Sequence, residues 1–162
     1  ITTTTYDAEG EIAAQNDITH ITRADVENAL SRFIGTIEQL PPIYSAIKQG
    51  GRKLYEIARA GDEIELQPRQ VQIDNIEILQ WEPPFVVLDI TCASGTYIRS
   101  LAHDLGQVLG VGAHLSDLRR VASGDFSIKQ AVPLNQLLNE DWQQFLLPPD
   151  TPLQSWPAIT LS

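Results

Sequence analysis

A chain of 162 residues with 43% hydrophobic content has room for one domain with its own core and falls short of the length expected of two. It holds no apolar run near ~18 residues and opens on no basic-then-apolar leader, which excludes a helical membrane span and argues for a cytoplasmic protein. The net charge of −10 argues against nucleic acid as a property of the whole surface, because phosphate affinity comes from Lys and Arg.

That average conceals an asymmetry. Between Tyr44 and Ala60 the bases Lys48, Arg52, Lys53 and Arg59 face one acid, Glu56, whereas the first thirty residues hold six acids against Arg23. The four bases form either a local nucleic-acid surface or a solvated helix face. The single cysteine, Cys92, rules out an internal disulfide framework and a thiolate cluster, in keeping with a reducing cytoplasm.

In chain order, the β-branched run Ile1 to Tyr6 reads as an interior strand that has been cut, so the chain is expected to be a fragment. Asp7-Ala8-Glu9-Gly10 reads as a turn. Thr22 precedes a helix over Ala24 to Phe33, with Asp25 in capping-box position and Gly35 as the C-terminal cap. Its apolar positions Val26, Ala29, Leu30, Phe33 and Ile34 keep the spacing of a face laid on a core. Pro41-Pro42 then stops helical continuation and leaves Ile43 to Ile47 extended.

Arg52 to Ala60 predicts a short helix ended by Gly61, with Leu54, Ile57 and Ala58 inward. Val71, Ile73, Ile76, Ile78 and Trp81 predict a strand pair or one bulged strand, because alternation slips at Asp74-Asn75. Phe85 to Cys92 predicts a buried strand, joined antiparallel through Glu82-Pro83-Pro84. Thr96 to Leu109 has the strongest amphipathic helix pattern, with Gly110 beyond its end. A further strand is expected within Leu115 to Phe126, a last helix over Leu134 to Phe145, and an extended tail from Pro148. The expected fold class is α+β, a mixed and largely antiparallel sheet flanked by helices, with a domain over 1–147 and a tail over 148–162.

Two places could carry chemistry. Ser94-Gly95-Thr96-Tyr97-Ile98-Arg99 joins a strand to a helix start, where backbone amides and the helix dipole favour an anion. A cation there is mildly disfavoured, so Arg99 either reaches a carboxylate or phosphate or faces solvent. Tyr44, Lys48, Arg52, Lys53 and Tyr55, with Gly50-Gly51 between them, form either a surface that stacks bases and pairs phosphates or a hairpin with core tyrosines. His20, His103 and His114 lack the spacing of a helical zinc pair, so no metal is expected. His103 and Asp104 are adjacent on a helix and point about 100° apart, so they do not act on one atom.

Leu40-Pro41-Pro42-Ile43-Tyr44-Ser45-Ala46-Ile47-Lys48 with Gly51-Arg52-Lys53-Leu54-Tyr55 resembles a signature stretch of the tRNA pseudouridine synthase B family. Cys92-Ala93-Ser94-Gly95-Thr96-Tyr97-Ile98-Arg99, continuing to Gly112-Ala113-His114-Leu115 and Leu118-Arg119-Arg120, is similar to that family's second conserved block. Thr2 to Glu11 also resembles a stretch of the family. The resemblance implies a pseudouridine synthase fold, here incomplete, and isomerisation of uridine-55 in the T loop of tRNA without metal or cofactor. The flipped base would lie against Tyr97, with Leu118 lining its pocket and Arg99 pairing with the nucleophilic aspartate. Tyr44, Lys48, Arg52, Lys53, Arg119 and Arg120 would contact the T arm.

The same resemblance places that aspartate in a Gly-x-Leu-Asp-x-x-Ala-x-Gly motif, which no aspartate of this chain occupies. The chain alone is therefore expected to be inactive, to associate through exposed sheet edges, and to lead through its tail toward a further RNA-binding domain. The alternative class is a non-catalytic module that grips RNA or a protein.

Overall fold

The computed structural model describes residues 1–45, 47–49, 51–54, 60 and 66–153; the side chains of Lys48, Gln49 and Lys53 fall outside that description. The chain divides into two compact units, Ile1–Asp117 and Leu118–Ser162.

The first unit is built on an antiparallel three-stranded sheet in the order β3 (Gly35–Gln39), β6 (Arg69–Glu82), β7 (Phe85–Cys92). Strand β6 is one strand with two irregularities, between Ile73 and Asn75 and between Ile78 and Gln80. Each shift inserts one residue and flips the facing, so the inward set Val71, Ile73, Ile76, Ile78, Trp81 steps by two, three, two, three and stays on one side. The slip at Asp74-Asn75 is the first of these bulges. Strand β7 alternates without interruption, with Val86, Leu88, Ile90 and Cys92 half-buried and the residues between them exposed, so the buried strand expected there is covered on one face only.

Helix α1 (Arg23–Leu30) starts as its sequence predicts. Thr22 caps Asp25, and the Asp25 carboxylate returns to the Thr22 N–H at 2.8 Å. It ends earlier than expected, in a 3-10 turn over Ser31–Phe33. Gly35, at φ +101°, enters β3 in place of capping the helix, and Ile34 is exposed. The segment Gly35–Gln39 was not anticipated as a strand. Helix α2 (Ile98–Val108) begins two residues later than predicted and closes through Leu109, with Gly110 in the left-handed region. Val26, Ala29, Leu30 and Phe33 meet Ile73, Leu101 and Leu105 in the core, where burial of each large side chain is worth about 1.5–3 kcal/mol.

Other expectations change. Ile1 to Tyr6 contains only the two-residue strand β1 (Thr2–Thr3), paired with β2 (Ile12–Ala14), and Tyr6 is left-handed. Ile43 to Ser45 bends, and Ala46 lies outside the described residues. Lys48–Gln49 (β4) and Arg52–Lys53 (β5) form a small ribbon, so the predicted helix does not open at Arg52; Leu54 and Ala60 are helical, Leu54 is buried as expected, and residues 55–59 lie outside the described set.

In the second unit the predicted strand within Leu115 to Phe126 shrinks to the hairpin β8 (Ala122–Ser123) and β9 (Phe126–Ser127). The predicted last helix breaks at Glu140-Asp141 into α3 (Leu134–Asn139) and a 3-10 turn over Trp142–Phe145. Asp141 caps that turn with its side chain, which competes with helical continuation. Among the described residues of this unit none is buried, as expected where so short a length cannot enclose a core.

Candidate functional site

The first unit brings the start of α2 against the end of β3 through an amide that imitates a strand. The Gln39 side chain, 2% exposed, accepts from the Tyr97 N–H at 2.8 Å and donates to the Tyr97 carbonyl at 3.1 Å. Tyr97 is the N-cap of α2 and has no side-chain cap of its own; Gln39 satisfies its N–H and adds a second donor to its carbonyl, which already accepts from the Leu101 N–H at 3.1 Å. One turn on, buried Ser100 donates to the Leu40 carbonyl at 2.7 Å. These bonds fix where the following Pro41-to-Ser45 loop runs.

Arg99 uses that placement. Its Nη1 donates to Asp7 Oδ2 at 2.8 Å and its Nη2 to the Tyr44 carbonyl at 3.0 Å. Of the two outcomes open to Arg99, the structure shows the carboxylate partner. The side chains of the pair are 26% and 19% exposed, so the interaction is screened less than a surface salt bridge. Asp7 stands in a turn closed by Thr3, whose hydroxyl donates to the Asp7 carbonyl at 2.6 Å, and by the Glu9 N–H, which donates to its carboxylate at 3.2 Å. The Thr5 hydroxyl donates to the same carboxylate. Partial burial pushes the Asp7 carboxyl up, but the bonds from Thr5, Arg99 and the Glu9 amide outweigh it and hold the group below the usual carboxylate range.

The turn is anchored to the middle of α2 and to the segment that follows it as well. The Leu115 N–H donates to the Tyr6 carbonyl at 2.9 Å, and the Tyr6 ring stacks on His103 with centroids 3.9 Å apart and planes 17° apart. Gly106 allows the 111–113 loop to return beside α2, since a Cβ there would lie 2.0 Å from the Ala113 nitrogen. Burial pushes the Asp104 carboxyl up, partly offset by His103, and burial followed by Asp104 pushes the Tyr6 hydroxyl up.

Of the residues the sequence singled out, Tyr97 and Arg99 sit together at the α2 start, and Tyr44 contributes its carbonyl while its ring stays exposed. Lys48, Arg52 and Lys53 lie on the β4–β5 ribbon. Leu118, Arg119 and Arg120 belong to the second unit and are exposed. Asp7, Gln39 and Tyr6 were not singled out as site residues, and His103 was weighed only as a metal ligand or beside Asp104 and set aside. Asp7 carries no signal beyond a turn, since its partner is 92 residues away; Arg99 and His103 share the i, i+4 spacing of one helix face. Among the described residues no three His, Cys, Asp or Glu side chains cluster to hold a metal, and no helix is long and apolar enough to cross a membrane.

Profiles of two domains match this chain: the TruB family pseudouridylate synthase N-terminal domain over residues 1–98, and the tRNA pseudouridylate synthase B C-terminal domain over residues 99–154. The chain belongs to the TruB family of pseudouridylate synthases. A tRNA pseudouridine synthase B of Pseudomonas aeruginosa (strain UCBPP-PA14) is 48% identical over 100% of the chain and 55% of its own length. One from Symbiobacterium thermophilum is 47% identical over 100% of the chain and 54% of its own length. The chain thus spans about half the length of the curated TruB relatives it matches. A crystal structure of a Cbf5-Nop10-Gar1 complex is similar at 32% identity and a TM-score of 0.60, covering 76% of this chain and 32% of that one. A structure of an H/ACA RNP bound to a substrate RNA containing 2′-deoxyuridine is similar at 28% identity and a TM-score of 0.54, covering 73% of this chain and 29% of that one. The α+β fold is shared with these neighbours.

The depressed Asp7 carboxyl has a consequence for stability. Its folded pKa lies below the unfolded value of about 3.9, so the contribution of the pair is complete above that value and is lost as pH falls through the folded pKa. Asp7→Asn should lower stability at pH 7 and flatten the acid limb of the stability curve. Urea denaturation of both proteins between pH 2 and 7 checks this, and parallel acid limbs would refute the pairing.

Proposed function

We propose that this chain is part of a tRNA pseudouridine synthase that isomerises a T-loop uridine, uridine-55, and that it carries the arginine that orients the nucleophile without the nucleophile itself. The carrying observation is Arg99. Two of its five N–H donors are spent on Asp7 and the Tyr44 carbonyl, which anchors the guanidinium and leaves other donors able to take a second carboxylate. A guanidinium so held favours the ionised form of an attacking aspartate and fixes its direction. In the isomerisation the N1–C1′ bond breaks, a C5–C1′ bond forms, N1 gains a proton and the C5 hydrogen leaves to water. No redox partner or metal is required.

In this reading Tyr97 lies against the flipped base and Leu118 borders its pocket. The exposed ring of Tyr44, with Lys48, Arg52, Lys53, Arg119 and Arg120, contacts the T arm. Support comes from relatives named for acting on tRNA and from a neighbour bound to a substrate RNA. A cytoplasmic setting and a domain over 1–147, with 148–162 leading toward an RNA-binding domain, belong to the same proposal.

None of the chain's aspartates stands in the Gly-x-Leu-Asp-x-x-Ala-x-Gly setting that the resemblance requires of the nucleophile. The 162-residue chain alone should release no tritium from C5-labelled T-arm RNA; release would show that a carboxylate within it attacks. The outer edges of β3 and β7, unpaired among the described residues, support self-association of this chain. Light scattering that shows a monomer at rising concentration would contradict that.

In the full-length protein, Arg99→Ala should remove turnover while sparing tRNA affinity. The pair is partly buried, so its loss lies between the ~1 kcal/mol of exposed pairs and the ~3–5 kcal/mol of buried ones. Lys48→Ala should weaken tRNA binding and reduce its salt slope by about one. Single-turnover rates and salt-dependent affinities separate the two. Normal chemistry in the Arg99 variant would overturn the assignment.

A further inference from the structure

We propose that Tyr6 and His103 are positioning residues, an aromatic clamp that holds the Asp7 carboxylate on Arg99. Helix α2 presents Arg99 and, one turn on, His103 from the same face. Their contacts are the consecutive residues Asp7 and Tyr6. One helix face therefore grips one turn at two adjacent points, the first by charge and the second by ring stacking.

Three observations carry this. Tyr6 has φ +65°, a region that costs a bulky side chain free energy and persists only where the surroundings over-determine it. The surroundings here are the Leu115 amide on the Tyr6 carbonyl and the His103 ring on the Tyr6 ring. The left-handed turn at Tyr6 is also what redirects the chain so that the next side chain, Asp7, meets Arg99. Finally, His103 Nδ1 is buried without a hydrogen-bond partner. Nδ1 therefore adds no hydrogen bond to the clamp, which rests on the stacking face of the ring. The clamp therefore requires a flat ring at position 103 and no nitrogen.

That requirement supplies the test, in the full-length protein. His103→Leu fills the space without a ring, His103→Ala empties it, and His103→Phe keeps the stack and removes the unpaired nitrogen. The Asp7 carboxyl is titrated by carbon-13 NMR, assigned with Asp7→Asn. With Leu or Ala at 103, the Asp7 midpoint should rise toward the ordinary ~3.9 as the carboxylate leaves Arg99. With Phe it should stay at the wild-type value. The catalytic part rests on the pseudouridine synthase reading and predicts that kcat falls about ten- to a hundredfold with KM retained in the Leu variant, and recovers in the Phe variant. An Asp7 midpoint that ignores Leu at 103, or that moves equally with Leu and Phe, overturns the clamp. A midpoint that behaves as stated in a protein without synthase activity keeps the clamp and removes the functional reading. Should the Ala variant fail to fold, the Leu and Phe pair decides alone.

Discussion

A guanidinium about three-quarters buried in the first turn of a helix is unfavourable twice over, once through lost hydration and once through the positive end of the helix dipole. Asp7 offsets both terms because it brings a full negative charge to 2.8 Å, and the Tyr44 carbonyl adds a partial one at 3.0 Å. These contacts demand that three distant segments, the turn after β1, the loop after β3 and the start of α2, arrive together. Much of the first unit can be read as what makes that arrival reproducible.

The sheet does so through its bulges. A 14-residue strand of uninterrupted alternation would carry Ile76 and Ile78 to the face opposite Val71, Ile73 and Trp81. With two extra residues accommodated, the same strand covers the helices along its whole length, and α2 is seated by Leu101 and Leu105 against Ile73. Seating alone would leave the helix free to slide by fractions of a turn. The Gln39 amide on both backbone groups of Tyr97, and Ser100 on the Leu40 carbonyl, remove that freedom at the end where Arg99 stands.

The parts that were legible in the sequence are those set by local pattern. The α1 capping box, the antiparallel β6–β7 pair, the slip at Asp74-Asn75 and the extent of α2 follow from spacing and cap chemistry within a few residues. The errors share a cause. Gly35 is consistent with either a helix cap or a left-handed entry to a strand, and only pairing of Gly35 with Ile73 decides between them. Leu115 to Phe126 has strand-like residues, but Leu115 makes a single bridge to Asp7 and the run turns at Gly124. The site was half visible: the odd position of Arg99 announced a partner, while Asp7 read as an ordinary turn residue because nothing within its own neighbourhood distinguishes it.

The choice of arginine at position 99 follows from the number and direction of its bonds. Holding a carboxylate on one side and a carbonyl on another requires donors fixed in a plane at set angles, which a guanidinium supplies and an ammonium on a freely rotating stem does not. Arginine also stays charged when partly desolvated, whereas lysine in the same place would be driven toward its neutral form. With Asp7 held below the usual carboxylate range, the pair remains ionised across the working pH range, so an incoming third group meets a cation whose orientation has already been fixed. The arginine is then ordered before any third group binds, and none of that binding free energy goes into reorganising it.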